Sequence, residues 1–152
     1  MNNNLKSKTR LTFIQIIFEN LSTKKSIKDI FDVFKLSYKS TFYQEFKKKK
    51  KIKFEFNSNF LERLVNFFIE FTNSDDYVKS INNYVDFKRK FEKWDIINKA
   101  IIMAILSEIY FSEDDKKKII FNDYLNISKL FIDQSDLSTI NAIVDKIINE
   151  KK

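Results

Sequence analysis

The chain has 152 residues, with 28 Lys and Arg against 21 Asp and Glu for a net charge of +7, and it contains no Gly, Pro, Cys or His. Its length suits a single domain, and 43% hydrophobic residues, including 17 Phe, exclude a disordered chain. Without Cys or His there is no disulfide framework, no thiolate site and neither the commonest metal ligand nor the commonest general base.

With Gly and Pro missing, helix ends fall to Asn, Asp, Ser and Thr, which cap orphan N–H groups and tolerate turns. Leu11, Ile14, Phe18 and Leu21, with Ile17 beside them, have the spacing of an amphipathic helix starting near Thr9. Residues 1–10 carry Lys6, Lys8 and Arg10, with no acid before Glu19, and read as a flexible basic arm. The same region has the charge order of a signal peptide, but Gln15 interrupts the apolar run and no small-residue cleavage site follows. Ser26 and Asp29 resemble a capping box opening a second helix with Ile27, Ile30, Phe31 and Phe34, which ends before Phe46. The basic run Lys47 to Lys51 repels itself and belongs in a solvated loop. Ile52 to Phe56 alternates too briefly to set the fold class. A third helix starts near Ser58 and buries Phe60, Leu64, Phe67, Phe68 and Phe71, and Asn73 to Asp76 end it.

Tyr77, Ile81, Tyr84 and Val85 define a fourth helix that runs into the basic stretch Lys88 to Lys93. From Asp95 to Tyr110 the chain is apolar on nearly every face, with small Ala100 and Ala104, so a buried fifth helix is expected. Its apolar run, Ala100 to Leu106, is far shorter than the roughly 20 residues that span a bilayer, and a cytoplasmic address is expected. A polar break at Ser112 to Asp115 precedes a sixth helix with Ile120, Tyr124, Ile127 and Phe131. Leu137, Ile140, Val144 and Ile147 define a seventh, capped near Ser135. The expected class is all-α, one domain over residues 1–152.

Little covalent chemistry is available to this alphabet. Nucleophilic catalysis lacks its usual His or Cys, and phosphate-cradling loops lack glycine. The pairs Asp75–Asp76 and Asp114–Asp115 sit where helix N-termini are expected, which favours capping over cation binding. No enzyme, cofactor or metal is therefore expected. The positive charge favours polyanionic partners, and RNA, DNA and an anionic membrane all fit it. Locally, Lys6, Lys8 and Arg10 lead into a helix offering Gln15, Phe18 and Asn20. Basic arms that order on RNA have this form, with aromatic and amide groups to stack on and read bases, and so do ordinary solvated N-termini. Asn20, near the helix end, also suits a C-terminal cap.

The order of residues says more than their number. Thr9-Arg10-Leu11-Thr12-Phe13-Ile14-Gln15-Ile16-Ile17-Phe18 resembles the start of the NusB transcription antitermination factors, patterned Arg-x-x-Ala-Val-Gln-Ala-Leu-Tyr. Ala100 to Phe131 is similar to that family's central helix pair, with Glu108 in place of its first Glu and Phe121-Asn122-Asp123 in place of Ile-Asn-Glu. Thr139-Ile140-Asn141-Ala142-Ile143-Val144-Asp145-Lys146 is similar to the closing Phe-Val-Asn-Gly-Val-Leu-Asp-Lys. Met103 stands where the family has Arg, Asn98 where an acid is common, Lys116 where Pro is frequent, Ser138 where Lys is common and Thr139 where it has Phe.

The resemblance implies about seven helices in two packed subdomains. It also implies binding of boxA RNA in ribosomal RNA leader transcripts, with a NusE-type small-subunit ribosomal protein, within an RNA polymerase antitermination complex. On it, Lys6, Lys8, Arg10, Gln15, Phe18 and Asn20 are the expected RNA contacts, and Tyr84, Glu108 and Asn122 the expected partner contacts. Glu108 and Asn122 equally suit a structural hydrogen bond between helices. Two alternatives stay open: a helical protein-interaction module of the same superfamily without RNA specificity, and the NusB-like domain of an RsmB-type RNA methyltransferase. The second would need a Gly-rich cofactor loop and reactive Cys residues, which this chain lacks.

Overall fold

The structure, a computed structural model, describes residues 1–38, 41–45, 51–73, 75–83 and 91–150. Seven α-helices, one 3-10 turn and one two-stranded hairpin make up the regular structure of the described residues. The class is all-α. The chain divides into two compact units, Met1–Asn66 and Phe67–Lys152.

In the first unit, α1 spans Asn3–Thr23 and begins well before Thr9, because the Asn2 side chain accepts the Leu5 N–H at 2.7 Å and caps it. Residues 3–10 are therefore helical turns and not a flexible arm. Thr9 to Ile17 are buried without a break, so α1 is enclosed around its whole circumference there. Two of these buried residues are polar hydroxyls, and each is satisfied within the helix: Thr9 donates to the Leu5 carbonyl at 2.7 Å and Thr12 to that of Lys8 at 3.1 Å. At the far end Lys24 takes a left-handed conformation, φ 64°. Helices commonly close on such a residue, usually Gly, and a chain without Gly must place another side chain there at a cost of about 1 kcal/mol. Asn20 holds this end, its carbonyl accepting the Lys24 N–H at 3.0 Å and its amide donating to the Lys25 carbonyl at 2.6 Å.

The second helix, α2 (Ile27–Tyr38), buries Ile27, Ile30, Phe31 and Phe34. The chain then forms an antiparallel hairpin, β1 (Thr41–Glu45) and β2 (Lys51–Glu55), in which Phe42 pairs with Phe54 and Tyr43 with Lys53. The brief alternation at Ile52 to Phe56 thus falls on β2 and the residue after it, with β-branched and aromatic residues at period two. Of the basic run, Lys51 opens β2 and Lys47 to Lys50 lie outside the described residues. β2 packs against α1, with Phe54 and Phe56 both buried. Asn57 then caps α3 (Ser58–Phe71), its side-chain oxygen accepting the Phe60 N–H at 2.9 Å.

The second unit holds α4 (Asp76–Asn82), a 3-10 turn at Phe91–Lys93, α5 (Ile96–Tyr110), α6 (Asp114–Ser128) and α7 (Gln134–Glu150). Tyr84 and Val85 lie outside the described residues. The Asn82 side chain accepts the Phe91 N–H at 3.1 Å and so ties α4 to the turn. The hydroxyl of Tyr77 is held above its ordinary pKa by burial, with Asp75 and Glu92 adding to the effect, so it stays protonated at neutral pH. α5 is buried continuously from Ala100 to Ile109 and packs against α6 and α7, which also pack on each other. The cap of α7 is Asp133 rather than Ser135, its carboxylate accepting the Asp136 N–H at 2.9 Å. No helix among the described residues is long and apolar enough to cross a membrane.

Candidate nucleic-acid interface

All six expected RNA residues lie on α1, but the helix does not bring them together. At about 100° per residue, Lys6, Arg10 and Asn20 fall on one side of α1, and Lys8, Gln15 and Phe18 on the opposite one. Arg10 is 9% exposed and its guanidinium lies 5.5 Å from the centre of the Phe60 ring. Arg63 approaches the same ring at 5.9 Å, so α1 and α3 are joined through an aromatic ring with two cations on it. Gln15 is also 9% exposed, whereas Lys6 and Phe18 are partly exposed. Asn20 is engaged in closing the helix, as described above.

Lys8 has an acid that the linear sequence does not place near it. Its ammonium lies 3.2 Å from the carboxylate of Glu55 on β2. Beside this pair the Thr9 hydroxyl accepts the Asn57 N–H at 2.9 Å, and the Thr12 hydroxyl lies 3.4 Å from the Glu55 carbonyl. The end of β2 is therefore seated on the first turns of α1 by polar contacts as well as by Phe54 and Phe56. Sequence reasoning missed Glu55, Asn57 and Arg63, and placed Phe60 in the core without the two cations on its ring. The usable signal was the alternation through Phe56 followed by the Asn57-Ser58 capping pair.

Replacing Arg10 with alanine is expected to lower stability by about 1–2 kcal/mol, through loss of the ring contact and of its buried stem. Lys6→Ala should change stability by less than about 0.5 kcal/mol. Urea unfolding of the two variants would read the difference, and equal midpoints would show that Arg10 is not held as described.

The expected partner residues belong to the second unit. Glu108 is 4% exposed and its carboxylate accepts the hydroxyl of the fully buried Tyr124 at 2.7 Å, which joins α5 to α6. Asn122 is exposed and lines a groove of about 360 Å³ with Asn126, Gln134, Ser138 and Asn141. The Thr139 hydroxyl donates to the Ser135 carbonyl of its own helix at 3.2 Å. Tyr84 lies outside the described residues.

Charge divides between the units. Met1–Asn66 holds 15 Lys and Arg and 6 Asp and Glu, a net +9, whereas Phe67–Lys152 holds 13 and 15, a net −2. The whole positive excess of the chain is thus carried by the unit built on α1 and the hairpin.

No family model matches the chain. It is similar to the Transcription antitermination protein NusB of Rickettsia bellii, strains OSU 85-389 and RML369-C. Each is 25% identical over 150 residues, which cover 98% of this chain and 93% of the relative. The similarity to NusB thus runs along 98% of the chain. The three segments that resemble NusB fall on α1, on α5 with α6, and on α7, each within the described residues. The NusB-like signature therefore maps onto both units rather than onto one.

Proposed function

We propose that this NusB-like chain is a transcription antitermination factor. In this reading it is a non-enzymatic, cytoplasmic protein that binds boxA-type RNA of ribosomal RNA leader transcripts together with a NusE-type small-subunit ribosomal protein. The observation that carries the proposal is the similarity over 98% of the chain to proteins named for antitermination. The charge division supports it, since a net +9 in the first unit favours a polyanion through counterion release. The net −2 of the second unit suits a basic partner, as proteins that bind ribosomal RNA are.

Within this proposal the six α1 residues contribute differently. Lys6 and Phe18, partly exposed on opposite sides of α1, are the members of the set open to RNA, while the buried Arg10 and Gln15 hold the helix in place. Lys8 contributes once it exchanges Glu55 for a phosphate, and Asn20 fixes the helix end. For the protein partner, Asn122 is the surface contact, Glu108 orients α5 and α6, and Tyr84 completes the set. The Lys8–Glu55 pair and the burial of Arg10 also favour a second reading, a NusB-type protein-interaction module without RNA specificity.

A gel-shift titration separates the two. A boxA-containing RNA should shift at lower protein concentration than a scrambled RNA of the same composition, and more strongly with the NusE-type partner present. Size-exclusion chromatography should show a one-to-one complex with that partner. Equal affinity for both RNAs would favour the interaction module, and separate elution at every salt concentration would end the partner assignment.

A further inference from the structure

The six α1 residues expected at RNA lie on two opposite sides of the helix, and the packing around α1 treats those sides differently. From the end of β2 to the start of α3 the chain crosses α1 in register with three successive residues. Glu55 meets Lys8 at 3.2 Å, the Asn57 N–H meets the Thr9 hydroxyl at 2.9 Å, and the Phe60 ring centre lies 5.5 Å from the Arg10 guanidinium. On the Lys8 side the crossing brings an acid. On the Arg10 side it brings a second cation, Arg63, which is exposed and lies 5.9 Å from the centre of the same ring. Lys6, partly exposed, precedes Arg10 by one helical turn, about 5–6 Å away on the same side of α1. The first turn of α3 holds no acid, and Glu62 leaves the helix about 100° around from Arg63.

We propose that the main phosphate contacts of RNA lie on the Lys6–Arg10 side of α1, and that Arg63 of α3 is one of them. The inference rests on the RNA-binding reading above and adds to it a residue outside α1 and a choice between the two sides. The planar fork of a guanidinium matches two oxygens of a phosphate, and contact with an aromatic ring holds that fork in place before the ligand arrives. Arg10, at 9% exposed, is screened by water less than a surface cation is, so its charge is felt by an anion bound at Arg63. Two cations on one ring also repel each other, and a phosphate at the exposed one offsets that repulsion. The opposite side has no such excess: Glu55 balances Lys8, and Gln15 and Phe18 carry no charge. A phosphate there must first displace a carboxylate.

The test uses the full chain and fluorescence anisotropy of a labelled boxA-containing RNA titrated across a range of salt concentrations. Arg63→Gln should weaken binding and flatten the slope of log affinity against log salt by about 0.7, the share of one phosphate contact on a single strand. Lys6→Gln added to it should bring the flattening to about 1.4. Arg63→Lys should keep the wild-type slope, because the charge remains, with an affinity between those of wild type and Arg63→Gln, because a point charge replaces the fork. Lys8→Gln should change the slope by less than Arg63→Gln does. An Arg63 that only supports Phe60 would lower the urea midpoint in Arg63→Gln and leave the slope at its wild-type value. That result overturns the inference while the proposed function stands, and so does a flattening by Lys8→Gln as large as that by Arg63→Gln. If wild type binds no RNA at any salt concentration, the proposed function falls and the inference with it. Binding of phosphatidylserine vesicles in place of RNA, reduced in Arg63→Gln, would overturn the inference in favour of a membrane surface.

Discussion

Tyr124→Phe is expected to lower stability by about 2 kcal/mol, and Glu108→Leu by a similar amount, while the double variant should come close to wild type. The reason is the 2.7 Å hydrogen bond between two side chains that are 0% and 4% exposed. Removing the hydroxyl leaves a buried carboxylate with one donor fewer, and removing the carboxylate leaves a buried hydroxyl. Each loss costs the desolvation of the group left behind. Removing both leaves an apolar contact between α5 and α6 of similar volume. Urea unfolding of the four proteins gives the coupling energy, expected at about 2–3 kcal/mol. Strictly additive effects would mean that the pair does not join the helices. The partner readout adds a second use: if the double variant is stable and still binds the NusE-type protein, Glu108 serves the second unit by orienting its helices.

Phe54→Ala should cost about 3–5 kcal/mol, the range for emptying a fully buried aromatic site. Phe54 is 0% exposed and is the inward residue of β2 at its pairing with Phe42. Domains of this size are stable by only about 5–15 kcal/mol, so the variant loses a large part of the total. The loss should concentrate in the first unit, where amide hydrogens of β1, β2 and α1 would exchange faster than those of α5. Leu36→Ala is the matched control, since Leu36 is 78% exposed and its truncation should cost less than about 0.5 kcal/mol. Equal costs at the two positions would mean that β2 is not packed on α1.

The helices were legible because each rests on a repeating pattern. Leu137, Ile140, Val144 and Ile147 predict α7, and all four are buried. The apolar run from Ala100 to Leu106 predicts a helix enclosed on every side, as α5 is. Enclosure of α1 was harder to read, since Thr9, Thr12 and Gln15 interrupt its apolar residues; the two threonines are tolerated because their hydroxyls bond the preceding turn. Helix starts were less legible than helix bodies, because Asn2 or Asp133 serves as a cap only if its side chain meets a free N–H, which depends on one rotamer. The hairpin was largely illegible, as a five-residue alternation carries too few repeats to outweigh the helical pattern around it.

The sequence by itself determined that this is a chain of the all-α class without thiol, imidazole or glycine-loop chemistry, and that its residue order resembles NusB in three places. Those are properties of composition and of local period, and they survive any arrangement of the helices. Only the tertiary structure decided what the charges do. Lys8 has no acid near it in sequence, yet Glu55 reaches it from a strand more than forty residues later. Arg10 reads as a surface cation, yet it lies buried on Phe60. A charge acts through distances in space and through its exposure to water, and neither quantity exists until β2 and α3 have folded onto α1.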